Sequence, residues 1–525
     1  MADQNSTDQA GTNTKIVYPV LFALFPMLSI YSTNLAMIPL VTLLRPAMTI
    51  SIISVLLWLL CGFGLKSTSR GAICSTVAIT LCYLYPKVQL MSRSFYIPNQ
   101  YEVWIWSFLT LALSGLSAWK FTWHRLANFL SIALVSITFA QICFTLFQAV
   151  QYRPDTPSTL GSNSKAPIRR PDIIYIILDG YGRSDALKRS LGYDNSKFIN
   201  GLAKLGFFVA SNSRSNYCQT ELSVGSSLNL DFIQNLLPKV DANNGDRLAL
   251  GELINHNAAS LYLKAKGYSF RAITTDFPPL QFESADVNMR SRAGLTMIES
   301  ALLQISPWAN DGRAVDSQFV KRRYDLTAAF DAISKLKTRD IVPRFVVAHI
   351  LAPHPPFVFG ANGETVPRKG LFGLWDGSDY LEHVSNEADY TTGYVGQAEY
   401  IGTKILSAID SVLSSRGEKP VIIIQGDHGS KLRLDQNSLV KTDLNECFPI
   451  LNAYYVPNSV RKVLYPSISP VNSFRAVFNG LFQENYQLKP DLSWYSTYPL
   501  PYDMTDVTNQ IADSSKLKYV QLPKK

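Results

Sequence analysis

Two acidic positions 248 residues apart carry the clearest chemistry in this chain of 525 residues. They are Asp179, in Ile176-Ile177-Leu178-Asp179-Gly180, and Asp427 with its neighbour His428, in Gly426-Asp427-His428-Gly429-Ser430. Each closes an apolar run, 173–178 and 421–425, that reads as a buried strand. The ends of strands in an open α/β sheet are where ligands and ions are held. Two carboxylates and an imidazole meeting there form a donor set suited to a divalent metal. An Asp-Gly step after a strand also serves as a plain turn. An Asp-His pair between glycines is costlier to bury, unless the carboxylate is paired or metal-bound.

Two further segments could join that set. Ser215 to Ser223 runs into Val224-Gly225-Ser226-Ser227, and a hydroxyl that opens a helix sits where free backbone N–H groups and the helix dipole favour an anion. Thr220 is that hydroxyl. Beside a metal it becomes a nucleophile; without one it is a helix cap. In Ala348-His349-Ile350-Leu351-Ala352-Pro353-His354-Pro355-Pro356, two of the six histidines fall within six residues after an apolar run. They could bind a metal or donate to phosphoryl or sulfuryl oxygens. His256 reads as a helix start, and His124 and His383 carry no such context.

These residues need a scaffold. Short apolar runs at 173–178, 206–210, 269–274, 345–350, 421–425 and 451–455 alternate with helical stretches such as 389–413, where Ala398, Ile401, Ile405, Ile409 and Val412 share one face. The pattern predicts an α/β fold, a mostly parallel sheet flanked by helices on both sides. Segments 276–315 and 358–388 read as long loops, and 484–525 as a strand-poor tail. Cys218 and Cys447 could form a disulfide; Cys61, Cys74, Cys82 and Cys143 lie in apolar stretches and read as small buried hydrophobes.

The first 150 residues are different in kind. They carry eight Lys/Arg and three Asp/Glu, against 41 and 37 in the remainder, so the net charge of +9 is spread thinly. No basic block suggests a nucleic-acid partner; a modest attraction to an anionic membrane surface fits the surplus. Charge-free runs predict five membrane spans, at about 17–36, 47–65, 70–87, 102–119 and 127–149, near the roughly 20 residues that a bilayer core requires. Lys15, Lys66, Arg70, Lys120 and Arg125 then lie inside, and Arg45, Lys87 and Arg93 outside. An odd number of spans puts the rest outside the cytoplasmic membrane. The expected organisation is a transmembrane domain at 1–150, a Pro- and Ser-rich linker at 151–171, a catalytic domain at 172–483 and a tail at 484–525.

The order of Asp179 after a strand, Thr220 at a helix start, His354 in a Pro-His-Pro-Pro segment, then Asp427-His428, resembles the alkaline phosphatase/sulfatase superfamily. With its anchor, the chain resembles the membrane branch of lipoteichoic acid synthases and lipid A phosphoethanolamine transferases. The resemblance implies that Asp179, Asp427 and His428 ligate a metal, Zn²⁺ or Mn²⁺, with Mg²⁺ and Ca²⁺ also compatible. It implies Thr220 as metal-bound nucleophile, with Thr220-x-x-Ser223 similar to the transferases' Thr-x-x-Ser, and His354 against the substrate phosphate. His349 and Ser223 would then touch substrate. A lipid donor and an envelope glycan, or another hydroxyl, as acceptor follow from the same resemblance; ester hydrolysis and a catalytically silent fold are the alternatives. The chain departs from the family in three ways. No histidine follows His428, which favours one metal over two. Cys218-Gln219-Thr220-Glu221 lacks the Pro and Arg of the sulfatase Cys-x-Pro-Ser-Arg. A shift of two residues would also make Cys218 the nucleophile.

Overall fold

The computed structural model describes residues 15–35, 38, 40–94, 99–120, 123–152, 170–275, 277–291, 294–308, 312–338, 340–414 and 418–512. The chain forms two compact units. One takes residues up to Gln148 together with Leu295–Ala314; the other takes Ala149–Gly294 and Val315 onward.

In the first unit, five helices occupy the five charge-poor runs: α1 (Tyr18–Ser32), α2 (Leu44–Gly64), α3 (Thr68–Ser94), α4 (Asn99–Lys120) and α5 (His124–Gln151). Two stretches, Leu40–Gly64 and His124–Gln151, are long and apolar enough to cross a bilayer. The 15 residues of α1 fall short of a bilayer core. Helix α3 carries Arg70, Lys87 and Arg93, and α4 carries Glu102 and Lys120. Leu56, Leu60, Phe63, Phe108, Leu111, Phe139 and Phe147 all stand exposed on these helices, an apolar exterior unlike that of a water-soluble bundle.

A short helix from far along the chain belongs to this unit. Met297–Gln304 lies within the segment expected to be a loop. Thr296 Oγ1 accepts from the Glu299 N–H, and the Glu299 carboxylate accepts from the Thr296 N–H, a reciprocal cap. Its Ile298 and Leu302 are buried in a cluster with Met27, Tyr31 and Ile142. Arg45 Nε donates to Glu299 Oε1 at 2.7 Å.

The second unit is built on a seven-stranded sheet: β1 (Ile173–Leu178), β2 (Phe208–Val209), β3 (Ser269–Thr274), β4 (Val287–Arg290), β5 (Arg344–Ile350), β6 (Val421–Gln425) and β7 (Asn452–Tyr455). Their spatial order is β2-β7-β6-β1-β5-β3-β4. The five strands from β6 to β4 run parallel, whereas β7 is antiparallel to both β6 and β2. All six β1 residues are buried because both faces are covered. Ile174, Ile176 and Leu178 join a core with Ile401, Ile405 and Ile409 of helix Glu387–Leu413, while Ile173, Tyr175 and Ile177 meet Phe474 and Phe478 of helix Pro470–Phe482. Truncating one such isoleucine to alanine costs about 2–5 kcal/mol.

Three corrections follow from this arrangement. The segment 276–315 contains β4 and the capped helix, and 358–388 contains helix Ser378–His383. His256 follows the C-terminus of helix Leu248–Asn255 rather than opening a helix, because Asn257 caps the next one through the Ser260 N–H. Cys218 and Cys447 are free thiols buried in one apolar cluster. In the expected tail, Trp494–Tyr495 and Thr505–Asp506 pair as a small antiparallel ribbon. Most of the expected linker, 153–169, and the last residues, 513–525, lie outside the described residues.

Candidate metal centre

Parallel register brings the site together. Ile177 of β1 pairs with His349 of β5 on one side and Gln425 of β6 on the other, so Asp179, His349 and Asp427 emerge at one edge of the sheet. Gly180 follows Asp179 at φ +76°, a conformation that glycine adopts without steric cost. Its N–H donates to Asp427 Oδ1 at 2.9 Å, joining the two distant segments directly. Tyr394 locks the same turn by donating to the Gly180 carbonyl oxygen at 2.7 Å. Past His428, Gly429 is required by close approach: a Cβ there would lie 2.1 Å from the Glu446 carbonyl oxygen.

Asp179, Asp427 and His428 are fully buried, and one ligand atom from each falls within 4.8 Å of the others. His428 Nε2 lies 3.5 Å from Asp179 Oδ1 and 3.3 Å from Asp427 Oδ2. Its Nδ1 is 2.9 Å from the Gly429 carbonyl oxygen and so carries the proton, which leaves Nε2 as a bare lone pair. Asp179 Oδ1 and Asp427 Oδ2 are buried with no hydrogen-bond partner. Three electron-rich atoms thus face one another with only the Thr220 hydroxyl, Oγ1 at 3.2 Å from His428 Nε2, among them. Such an arrangement is strongly unfavourable unless a cation sits at its centre or a carboxyl takes up a proton, and the mixed oxygen and nitrogen donors fit a divalent metal. Burial, then the Asp427 carboxylate, pushes the Asp179 carboxyl up to about 8. Burial and the nearby Lys431 charge push the His428 imidazole well below its ordinary range, and burial pushes His349 down to about 4.

Thr220 is the first residue of helix Thr220–Leu228, and the cap position is Gln219, so its side chain is not spent on capping. Ser223, one turn on, donates its hydroxyl proton to the Asp427 carbonyl oxygen at 2.6 Å. His349 Nε2 lies 3.1 Å from Asp179 Oδ2 and orients that carboxylate. The His354 N–H donates to the Asp179 carbonyl oxygen at 3.1 Å, and its ring Nε2 lies 3.6 Å from Asp376 Oδ2. Cys218 is buried among Leu434, Cys447 and Phe448, and burial pushes its thiol up to about 11. That environment opposes the thiolate a cysteine nucleophile needs.

Several groups at the site were not singled out in the sequence. Asp376 accepts from the Tyr390 hydroxyl at 2.8 Å and from the Gly377 N–H at 2.9 Å, which aims its other oxygen at His354. Glu446 accepts from Ser430 Oγ at 2.9 Å and holds the loop after His428; burial raises its carboxyl to about 7. Lys431 is buried on that loop. Its place three residues after a candidate ligand was the only sequence signal for it. Asp376 had none, because it lies in a stretch without periodicity.

No sequence-family model matches the chain, and no curated protein does. Solved structures that match include the zinc-bound C-terminal periplasmic domain of EptC from Escherichia coli, 11% identical, with a TM-score of 0.42 over 68% of this chain and 96% of that one. Another is the integral membrane lipooligosaccharide phosphoethanolamine transferase A of Neisseria meningitidis, 12% identical, with a TM-score of 0.40 over 89% of this chain and 95% of that one. A third is the phosphonate monoester hydrolase of Agrobacterium radiobacter, 12% identical, with a TM-score of 0.39 over 62% and 80%. Phosphoethanolamine transferases and sulfatases are both among the matches.

Proposed function

We propose that this chain is a membrane-anchored, metal-dependent transferase. It would move a phosphoryl-linked headgroup from a phospholipid to an envelope glycan through a covalent Thr220 intermediate. One observation carries the reading: two orphaned carboxylate oxygens and a bare imidazole nitrogen converge beside a threonine hydroxyl that caps nothing.

A divalent cation held by Asp179, Asp427 and His428 would supply a lowered pKa for the Thr220 hydroxyl and neutralise charge on the phosphoryl oxygens. Thr220, its hydroxyl proton already released to solvent, forms a bond from Oγ1 to phosphorus as the bond to the diacylglycerol oxygen breaks, and His354 gives that oxygen its proton. The acceptor hydroxyl then attacks the phospho-threonine, returns the proton to His354 and frees Thr220. His349 holds Asp179 in place, Ser223 fixes the Asp427 backbone and Asp376 orients His354. The charge-free run 17–36, rather than the 15 residues of α1 alone, would supply the first of five spans that anchor residues 1–150, with the catalytic domain on the extracytoplasmic side.

The test is mass spectrometry of the Thr220 peptide after incubating the metal-loaded protein with mixed phospholipids. The expected result is an adduct whose mass names the transferred group; a glycan acceptor discharges it into a glycan product. Thr220→Ala should lose turnover and the adduct while retaining metal. Undiminished activity in that variant would refute the assignment.

A further inference from the structure

The residues on either side of Thr220 are both held by one side chain from outside their helix. Arg247 is buried, at 7% exposure. Its Nη2 donates to Gln219 Oε1 at 2.7 Å, and its Nη1 lies 3.4 Å from Glu221 Oε1. Gln219 and Glu221 are each 4% exposed. Nη2 donates again to the Tyr498 carbonyl oxygen at 2.7 Å, and the Tyr498 ring covers the guanidinium at 4.2 Å. A planar guanidinium reaches these three acceptors from one rigid fork, which an ammonium on a flexible stem does not. Arg247 directly precedes helix Leu248–Asn255, and its side chain does no capping there.

The Tyr498 contact is one of a series. Residues 492–498, within the stretch expected to be a strand-poor tail, run alongside 215–219. The Trp494 N–H donates to the Asn216 carbonyl oxygen at 2.8 Å, and Ser493 Oγ to the Ser215 carbonyl oxygen at 2.8 Å. Gln219 Nε2 donates in turn to the Ser496 carbonyl oxygen at 3.0 Å. The same strap reaches the chain beyond His428. The Tyr498 N–H donates to the Gln436 carbonyl oxygen at 2.8 Å, and Gln436 Nε2 donates to the Asp376 carbonyl oxygen at 3.3 Å. Buried polar networks rigidify the groups they join. Rigidity at Thr220 matters because misplacing a reacting atom by about 1 Å can cost roughly a hundredfold in rate.

We propose that Arg247 is a positioning residue: by clasping Gln219 and Glu221 to the strap 492–498, it fixes the Thr220 hydroxyl in line for attack on phosphorus. This rests on the reading that Thr220 is the nucleophile. The partners of Arg247 are the neighbours of Thr220, not Asp179, Asp427 or His428. Its loss therefore slows the attack without emptying the metal centre.

The test compares wild type, Arg247→Met, Arg247→Lys and Glu221→Gln as full-length, detergent-solubilised protein loaded with Zn²⁺. Each is mixed with micelles containing phosphatidylethanolamine and phosphatidylglycerol. Mass spectrometry follows the rate of Thr220 adduct formation, and elemental analysis follows metal content. Arg247→Met should form the adduct roughly ten- to hundredfold more slowly at saturating lipid, with metal content and the half-saturating lipid concentration unchanged. Arg247→Lys should recover only part of the rate, because an ammonium lacks the fork that spans both flanking groups. Glu221→Gln keeps the shape of one contact without its charge and should slow the adduct by roughly two- to tenfold. A wild-type rate in Arg247→Met would overturn the proposal, as would a wild-type rate in Glu221→Gln should Arg247→Met fail to fold. So would a slower rate that only tracks lost metal or a raised half-saturating concentration, which would mark the arginine as structural or as part of lipid binding. A metal-loaded wild type that forms no adduct at Thr220 would instead overturn the nucleophile assignment, and this proposal with it.

Discussion

Replacing Asp179 with asparagine should stabilise the metal-free protein in alkali and abolish its rescue by metal. In the folded, metal-free state, burial and the Asp427 charge hold the Asp179 carboxyl up to about 8, from an ordinary value of 3.8. The unfolded chain therefore releases this proton near pH 4, while the folded chain keeps it until about pH 8. The stabilisation is fully present below about pH 4 and lost as pH rises through 8. At about 1.4 kcal/mol per pH unit over roughly four units, the span is on the order of 6 kcal/mol. Because Asp179 is fully buried, solvent screening does not reduce it. Between pH 5 and pH 9 about three of those units are read, roughly 4 kcal/mol, which for a unit of this length corresponds to about 5 °C in melting midpoint. Full-length protein in detergent, stripped by a chelator, would be melted at pH 5 and pH 9, with and without Zn²⁺ or Mn²⁺. Wild type should fall further than Asp179→Asn between pH 5 and pH 9 and recover with metal; Asp179→Asn keeps the pH dependence that Glu446 brings and is indifferent to metal. A chelated wild type that melts no lower than Asp179→Asn at pH 9, relative to pH 5, would refute the reasoning.

Two further substitutions test the scaffold. Arg344→Ala should cost about 3–5 kcal/mol, because it strands Asp172, whose Oδ2 accepts from Arg344 Nε at 3.0 Å and Nη2 at 2.6 Å in a buried pair beneath β1 and β5; denaturant unfolding measures it. Gly393→Ala would place a Cβ 2.2 Å from Phe357 Cδ2. Phe357 packs edge-on to Tyr390, the donor to Asp376. Overpacking of this kind costs about 1–3 kcal/mol, and steady-state kinetics should show a lower kcat/KM at unchanged metal content.

Much of the sheet was readable because it is buried on both faces, so β1 and β6 appear as unbroken apolar runs that no surface strand would tolerate. The edge strand β4 was missed for the opposite reason: Val287-Asn288-Met289-Arg290 is half-exposed and polar at alternate positions, and only its pairing with β3 makes it a strand. The helix after it was missed although Thr296 and Glu299 spell a capping box, since eight residues are too few to show a period. At the site, Asp179, Thr220, Asp427 and His428 were legible because chemistry restricts residue types at strand ends and helix starts. Asp376 and Lys431 were not, because only tertiary folding brings a loop aspartate beside His354. The separate contributions of His349 and Ser223 needed the hydrogen bonds themselves.

The capped helix Met297–Gln304 has a practical consequence for anyone dissecting this chain. A gene fragment starting near residue 155 would keep Ile298 and Leu302 but delete Met27, Tyr31 and Ile142, which cover them. Stripping each side chain of its cover forfeits about 1.5–3 kcal/mol and leaves a greasy ridge exposed. Clean preparations of the isolated second unit should therefore require a short Gly-Ser bridge in place of 295–311, or polar residues at 298 and 302.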